Sequence, residues 1–231
     1  MAAFTVGNRL IAALDAPNKR DSDNLIERLG GVPSWVKVGL ELFCAEGPTI
    51  VEAYSKQLSV MLDLKLHDIP ETVHRATARV ATLGAGMLTV HAGGGRAMLE
   101  AAVAARGAHM KILAVTVLTS LDEADLNAIG ARGPLPELVE QRARLALAAG
   151  CDGVVASPHE VARIRSVAPP EFLVITPGVR PAGADKGDQK RVMTPREARN
   201  VGSDMIVVGR PLRDAQDPAA AARAIVDELK A

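Results

Sequence analysis

The side chains best suited to chemistry are concentrated in one segment, Asp63-Leu64-Lys65-Leu66-His67-Asp68-Ile69-Pro70-Glu71-Thr72. Asp63 and Lys65 stand two residues apart, so on a strand both leave from the same face. A carboxylate beside an ammonium keeps the amine protonated and fixes its direction. Unit charges 4 Å apart attract by about 4 kcal/mol at an effective dielectric of 20. A lysine held in this way is a positioned proton donor. Its acidic neighbour would repel an anionic substrate group that departs as a neutral molecule. Together they suit decarboxylation followed by protonation of the carbon left behind. Two plainer roles compete: a structural ion pair for Asp63 and Lys65, and a helix capping box for Asp68-x-x-Glu71 with Pro70 in the first turn.

Such a cluster needs a scaffold, and the rest of the chain supplies a repetitive one. Eight short, almost wholly apolar runs are predicted as strands: Leu10–Leu14, Val36–Leu40, Val60–Leu64, Met87–Val90, Ile112–Leu118, Gly153–Ala156, Leu173–Ile175 and Met205–Val208. Continuously apolar strands are those covered on both faces. Between them run amphipathic patterns, predicted as helices over Asp21–Leu29, Thr72–Leu83, Ala97–Arg106, Pro136–Ala149 and Pro218–Leu229. Eight units in 231 residues come to roughly 29 residues each, the size of one strand–helix unit. The expected fold is therefore a single α/β domain, a closed (β/α)8 TIM barrel over 1–231, rather than a doubly wound sheet with edge strands to protect. Polar residues gather at the ends of the runs: Asp15, Lys37, Asp63 with Lys65, His91, Thr119 with Ser120, Ser157, Thr176 and Arg180, Gly209 with Arg210. In such a barrel these share one mouth, where the fold places its chemistry.

Composition excludes other classes. Lys plus Arg and Asp plus Glu number 27 each, so no basic footprint for a polyanion is implied. One Trp, one Tyr and three Phe leave no stacking platform for single-stranded nucleic acid. Neither a membrane span nor an export signal is expected, and Cys44 and Cys151 lack metal-type spacing. Both cysteines are predicted as small buried side chains of a cytoplasmic protein. His67 is expected to alternate away from the pocket, His91 to line its floor with a structural hydrogen bond, and Gly93-Gly94-Gly95 to make a tight turn.

Two features suggest a phosphate site. Gly209 allows close backbone approach and Arg210 offers a guanidinium fork, after the strand where barrels often bind phosphate; a simple turn and a solvated cation are the alternatives. The run from Pro177 to Gln189 carries three glycines and is long for a barrel loop, as a lid would be.

The string Asp63-x-Lys65-x-x-Asp68-Ile69-Pro70-x-Thr72 resembles the orotidine 5′-phosphate decarboxylase family. So do Ala13-Leu14-Asp15, Val36-Lys37-Val38-Gly39, Leu118-Thr119-Ser120, Thr176-Pro177-Gly178-Val179-Arg180-Pro181, Asp188-Gln189-Lys190-Arg191 and Val208-Gly209-Arg210-Pro211, in this order. The resemblance implies conversion of orotidine 5′-phosphate to UMP and carbon dioxide, with no cofactor and no metal. Lys65 would donate the proton and Asp63 would face the substrate carboxylate. Lys37 and Asp68 would complete the charge array, with Asp68 reaching in from the partner of a homodimer. Asp15 and Lys37 would meet the ribose, Thr72 would contribute across the interface, and Thr119 and Ser120 would address the pyrimidine. Arg180 and Gln189 would join Gly209 and Arg210 at the phosphate.

Two rivals stay open at this point. Metal-dependent sugar-phosphate decarboxylases and synthases of the same suprafamily resemble the chain, but need Mg²⁺ and carboxylate ligands where this sequence has Lys37. A catalytically silent nucleotide-phosphate-binding barrel is the other.

Overall fold

Each apolar run becomes a parallel strand because both of its faces find cover. The computed structural model describes residues 9–131, 133–181 and 193–230. The strands are β1 (Leu10–Ala13), β2 (Trp35–Gly39), β3 (Ser59–Leu66), β4 (Met87–His91), β5 (Lys111–Val115), β6 (Gly153–Val155), β7 (Leu173–Thr176) and β8 (Met205–Val208). They pair in sequence order, and β1 closes on β8 through Leu10↔Ile206, Ile11↔Val207 and Ala12↔Val208. The predicted (β/α)8 barrel is what forms.

The helices are α1 (Lys19–Arg28), α2 (Leu40–Glu46), α3 (Thr49–Ser55), α4 (Pro70–Ala81), α5 (Arg96–Ala105), α6 (Glu123–Ala128), α7 (Leu135–Ala148), α8 (Val161–Arg165), α9 (Pro195–Asn200), α10 (Arg210–Arg213) and α11 (Pro218–Lys230). The five predicted helices match α1, α4, α5, α7 and α11 within about two residues, the ordinary fraying of boundaries. Six shorter helices went unpredicted, because four to seven residues carry too little periodicity to read.

Strand alternation divides the core in two. Ile11, Trp35, Met61, Met87, Leu113 and Met205 are among the side chains that fill the barrel interior. Leu10, Val36, Leu62, Leu88 and Ile112 point outward into the layer beneath the helices. At ~25 cal/mol per Å² of apolar surface, these two layers are the main favourable term in folding. The inward positions next toward the mouth are polar: Lys37 on β2, Asp63 on β3 and Thr89 on β4.

Four expectations need correction. The fifth strand ends at Val115 and not at the predicted Leu118. The third strand runs on to Leu66, beyond the predicted Leu64, because Leu66 pairs again with Val90 of β4 after the irregular stretch that contains the polar Lys65. Asp68 and Glu71 form no capping box: Ile69 is the N-cap residue of α4, and the Asp68 carboxylate instead accepts the Ile69 N–H at 2.7 Å. Cys44 is exposed, since it sits on the outer side of the short helix α2, whereas Cys151 is buried as predicted. Burial pushes the Cys151 thiol up to about 12, which makes it inert. Among the described residues no helix is long and apolar enough to cross a membrane.

Candidate active site

Four charged side chains form an alternating line across the mouth. The Lys37 Nζ lies 3.0 Å from Asp15 Oδ1 and 3.6 Å from Asp63 Oδ2, and the Lys65 Nζ lies 2.9 Å from Asp63 Oδ1. The order is Asp15, Lys37, Asp63, Lys65. The two inner members are nearly dry, with Lys37 and Asp63 side chains 12% and 13% exposed. Burial alone would raise the Asp63 carboxyl. The Lys37 and Lys65 ammoniums, with hydrogen bonds from Lys65 and Thr89, outweigh it and hold Asp63 below the usual carboxylate range.

Local backbone explains how these residues converge. Lys37 lies within β2, as the predicted run Val36–Leu40 has it, with its side chain inward. Gly39 makes room for it: a Cβ there would stand 2.9 Å from the Lys37 Nζ and 3.4 Å from Asp15 Oδ1. β3 pairs with β4 through Leu62↔Leu88 and then Leu66↔Val90, so residues 63–65 bulge opposite Thr89. Within the bulge Lys65 adopts φ +51°, the one positive φ at a non-glycine residue among the described residues. That left-handed conformation costs about 1–2 kcal/mol. Asp63 and Lys65 thus share the site, but through a bulge rather than through regular strand alternation.

Thr89 was not anticipated. It is fully buried; its Oγ1 accepts the Lys65 N–H and donates to Asp63 Oδ1, both at 2.9 Å. The only signal in the sequence was one hydroxyl inside an apolar strand, which packing alone could explain.

The cavity beside the charged line has a volume of about 150 Å³. Lys37, Asp63 and Lys65 line it together with Thr119 and apolar Val115, Val155 and Val207. A charged edge against an apolar surround suits a flat ring that carries one anionic substituent.

The remaining candidates are placed unequally. Ser120 is exposed and outside the cavity lining, unlike Thr119. Gly209 backs onto Asp15, where a Cβ would stand 3.3 Å from Oδ2, and Arg210, half-buried, opens α10. Arg180 is buried, with its Nη1 donating to the Val179 carbonyl at 2.9 Å. Gln189 lies outside the described residues. Asp68 and Thr72 are exposed at the start of α4, and the Asp68 carboxylate has no ion-pair partner within the chain's described residues.

His91 accepts the Gly93 N–H at Nδ1 (3.1 Å), the structural bond expected of it, and the three glycines turn the chain into α5. His67 stacks on His91 with ring centroids 5.1 Å apart. Burial, followed by the charges of Arg142, His67 and Lys65, pushes His91 from 6.5 down to about 4. It is neutral at physiological pH. Among the described residues no three His, Cys, Asp or Glu side chains converge as a metal site. Asp15 and Asp63 already hold an ammonium between them.

Residues 8–225 match the family described as Orotidine 5′-phosphate decarboxylase / HUMPS family. The chain belongs to that family. It is 55% identical to the orotidine 5′-phosphate decarboxylase of Anaeromyxobacter sp. (strain K), covering 96% of this chain and 98% of that one. It is 48% identical to that of Moorella thermoacetica, covering 96% and 92%. The crystal structure of orotidine 5′-phosphate decarboxylase from Lactobacillus acidophilus superposes with a TM-score of 0.85 at 39% identity, covering 96% of this chain and 99% of that one. The family match runs from just before β1 into α11 and so takes in all eight strands and the whole charged line.

Proposed function

We propose that this protein decarboxylates orotidine 5′-phosphate to UMP and carbon dioxide in pyrimidine biosynthesis, using only its own side chains. The observation that carries this reading is the Asp15–Lys37–Asp63–Lys65 line beside a cavity of ring size. With the pyrimidine in the cavity, its 6-carboxylate meets Asp63. The C6–carboxyl bond breaks, carbon dioxide leaves, and the electron pair stays on C6. Lys65 gives a proton from Nζ to that carbon and is reprotonated from solvent. At 2.9 Å the Asp63–Lys65 attraction is about 6 kcal/mol at an effective dielectric of 20, before desolvation. That attraction holds the ammonium in place beside the carbon that takes its proton. Preorganised charge of this kind is the largest usual source of catalysis.

Asp15 and Lys37 bind the ribose hydroxyls, and Gly209, Arg210, Arg180 and Gln189 take the phosphate. Thr119, with Ser120 brought in on binding, meets the pyrimidine edge. The working unit is a homodimer. Asp68, without an ion-pair partner among the described residues of its own chain, joins the partner's charged line, and Thr72 crosses with it. Ile69 beside them is 67% exposed, an apolar side chain suited to an interface. A protein of this pathway with no membrane-crossing helix among its described residues fits a cytoplasmic setting.

A metal-dependent sugar-phosphate activity fits less well. A divalent cation would need oxygen ligands where the Lys37 ammonium sits. The test is a spectrophotometric assay of purified protein in excess EDTA. Undiminished turnover of orotidine 5′-phosphate is expected; turnover that requires added Mg²⁺ would refute the reading, as would UMP binding with no release of carbon dioxide.

A further inference from the structure

The bulge in β3 creates a problem that one residue of β4 solves. Residues 63–65 pass opposite a single position, between the Leu62↔Leu88 and Leu66↔Val90 pairs, so the ladder offers the Lys65 N–H no regular carbonyl partner. A buried backbone donor needs an acceptor. Thr89 Oγ1 supplies it at 2.9 Å, in place of a main-chain oxygen. The same hydroxyl donates its own hydrogen to Asp63 Oδ1, also at 2.9 Å. Asp63 Oδ1 in turn accepts from the Lys65 Nζ at 2.9 Å. Backbone of 65, hydroxyl of 89, carboxylate of 63 and ammonium of 65 therefore close a ring of three hydrogen bonds. Thr89 is fully buried, so no water replaces it.

We propose that Thr89 is a positioning residue, whose hydroxyl holds Lys65 in its left-handed backbone conformation and so aims the lysine ammonium and the Asp63 carboxylate at the reacting carbon. This inference rests on the assignment of Lys65 and Asp63 above. The oxygen does two jobs at once, and a methyl group in its place does neither. Without the acceptor, Lys65 relaxes toward extended backbone, which swings its side chain off the line. Without the donor, Asp63 loses one of the hydrogen bonds that favour its charged form. The groups that bear on Asp63 are Lys37 from β2, Lys65 from its own strand and Thr89 from β4. Asp15 acts through Lys37, and the Lys65 charge in turn bears on His91 of β4.

The test is steady-state kinetics of the full chain with Thr89→Val, Thr89→Ser and Lys65→Ala. Thr89→Val is expected to lower kcat about 10- to 100-fold, the scale of a misplacement near 1 Å. KM should stay within about threefold, because ribose and phosphate contacts are untouched. The acid limb of its kcat/KM profile should move to higher pH, as Asp63 becomes easier to protonate. Thr89→Ser, which keeps the hydroxyl, should recover most of the kcat. A Thr89→Val enzyme with parental kcat, or a Thr89→Ser enzyme as slow as Thr89→Val, overturns the inference. So does a change confined to thermal stability with an unmoved pH profile. If Thr89→Val does not fold, Thr89→Cys gives the same comparison with a weakly bonding thiol, and parental kcat there is equally fatal. Lys65→Ala separates the two levels: parental turnover in that variant sinks the assignment of Lys65, whereas a dead Lys65→Ala beside a parental Thr89→Val sinks only the role of Thr89.

Discussion

Replacing Lys37 with methionine removes one charge from the centre of the line while keeping the volume of the stem. The wild-type line sums to zero, with two carboxylates and two ammoniums. Lys37→Met leaves it at minus one, with Asp15 and Asp63 no longer separated by a cation. At 3.0 and 3.6 Å, each lost attraction is about 5 kcal/mol at an effective dielectric of 20, before desolvation and screening. Asp15 is 48% exposed, so its share shrinks to the ~0–1 kcal/mol of a surface pair. Asp63 is nearly dry, and stranding one partner of a buried pair costs about 3–5 kcal/mol. Because Lys65 still faces Asp63, the expected loss lies at the lower end, about 3 kcal/mol.

The pH dependence of that loss is the sharper test. In the parent, Asp63 is held below the usual range, so its stabilisation is present above the ordinary carboxylate value and vanishes only as pH falls through the lower folded one. Between about pH 7.5 and pH 4.5 it is nearly constant. In Lys37→Met the folded value rises, and protonation begins to relieve the variant within that window. The gap between the two proteins should therefore narrow on acidification. Urea unfolding of both proteins at the two pH values measures it. An equal deficit at both, or no deficit at all, refutes the reasoning. Turnover should fall by about 10²–10³-fold or more, the scale of one lost preorganised electrostatic group.

Other expectations follow from the same geometry. Gly39→Ala, at a φ of −94° that any residue accepts, should leave the melting temperature nearly unchanged yet lower kcat about tenfold by displacing Lys37; parental kcat would count against the packing described. The His91 contribution to stability should be fully present above 6.5 and be lost as pH falls toward about 4. His91→Asn should flatten that slope, and parallel melting curves for the two proteins would contradict it. Arg210→Ala should raise KM for orotidine 5′-phosphate about 10- to 100-fold, the worth of a charge-assisted hydrogen bond, and leave turnover of unphosphorylated orotidine unaffected; equal effects on both would remove Arg210 from the phosphate.

The barrel was legible because parallel strands buried on both faces write themselves as apolar runs, one for each β element. The ends were less so. β3 read short because the polar Lys65 ends the apolar run, and nothing in the alternation shows that the strand pairs again at Leu66 beyond the bulge. The chemistry was legible where charge stood out against that apolar background, at Lys37, Asp63 and Lys65. What could not be read was geometry that period-two alternation does not contain. The bulge at 63–65, the positive φ of Lys65 and the hydroxyl of Thr89 that accompanies both depend on how β3 meets β4, a contact between segments 24 residues apart. Gly39 read only as part of the run Val36–Leu40, and the position of the Lys37 ammonium reveals why a side chain is unwelcome there. Asp68 read as a helix cap because local spacing allowed it; the backbone chose Ile69 instead. The roles proposed for Asp68 and Thr72 rest on family resemblance alone, since no spacing within one chain encodes a contact with another.

The most direct measurement of the central claim is a crystal structure of the protein with UMP bound. The Lys65 Nζ should lie within about 3–3.5 Å of C6, the reach of a near-attack arrangement, with Asp63 on the side where the carboxylate leaves. An ammonium turned to solvent, with another group or an ordered metal ion nearest to C6, would contradict it.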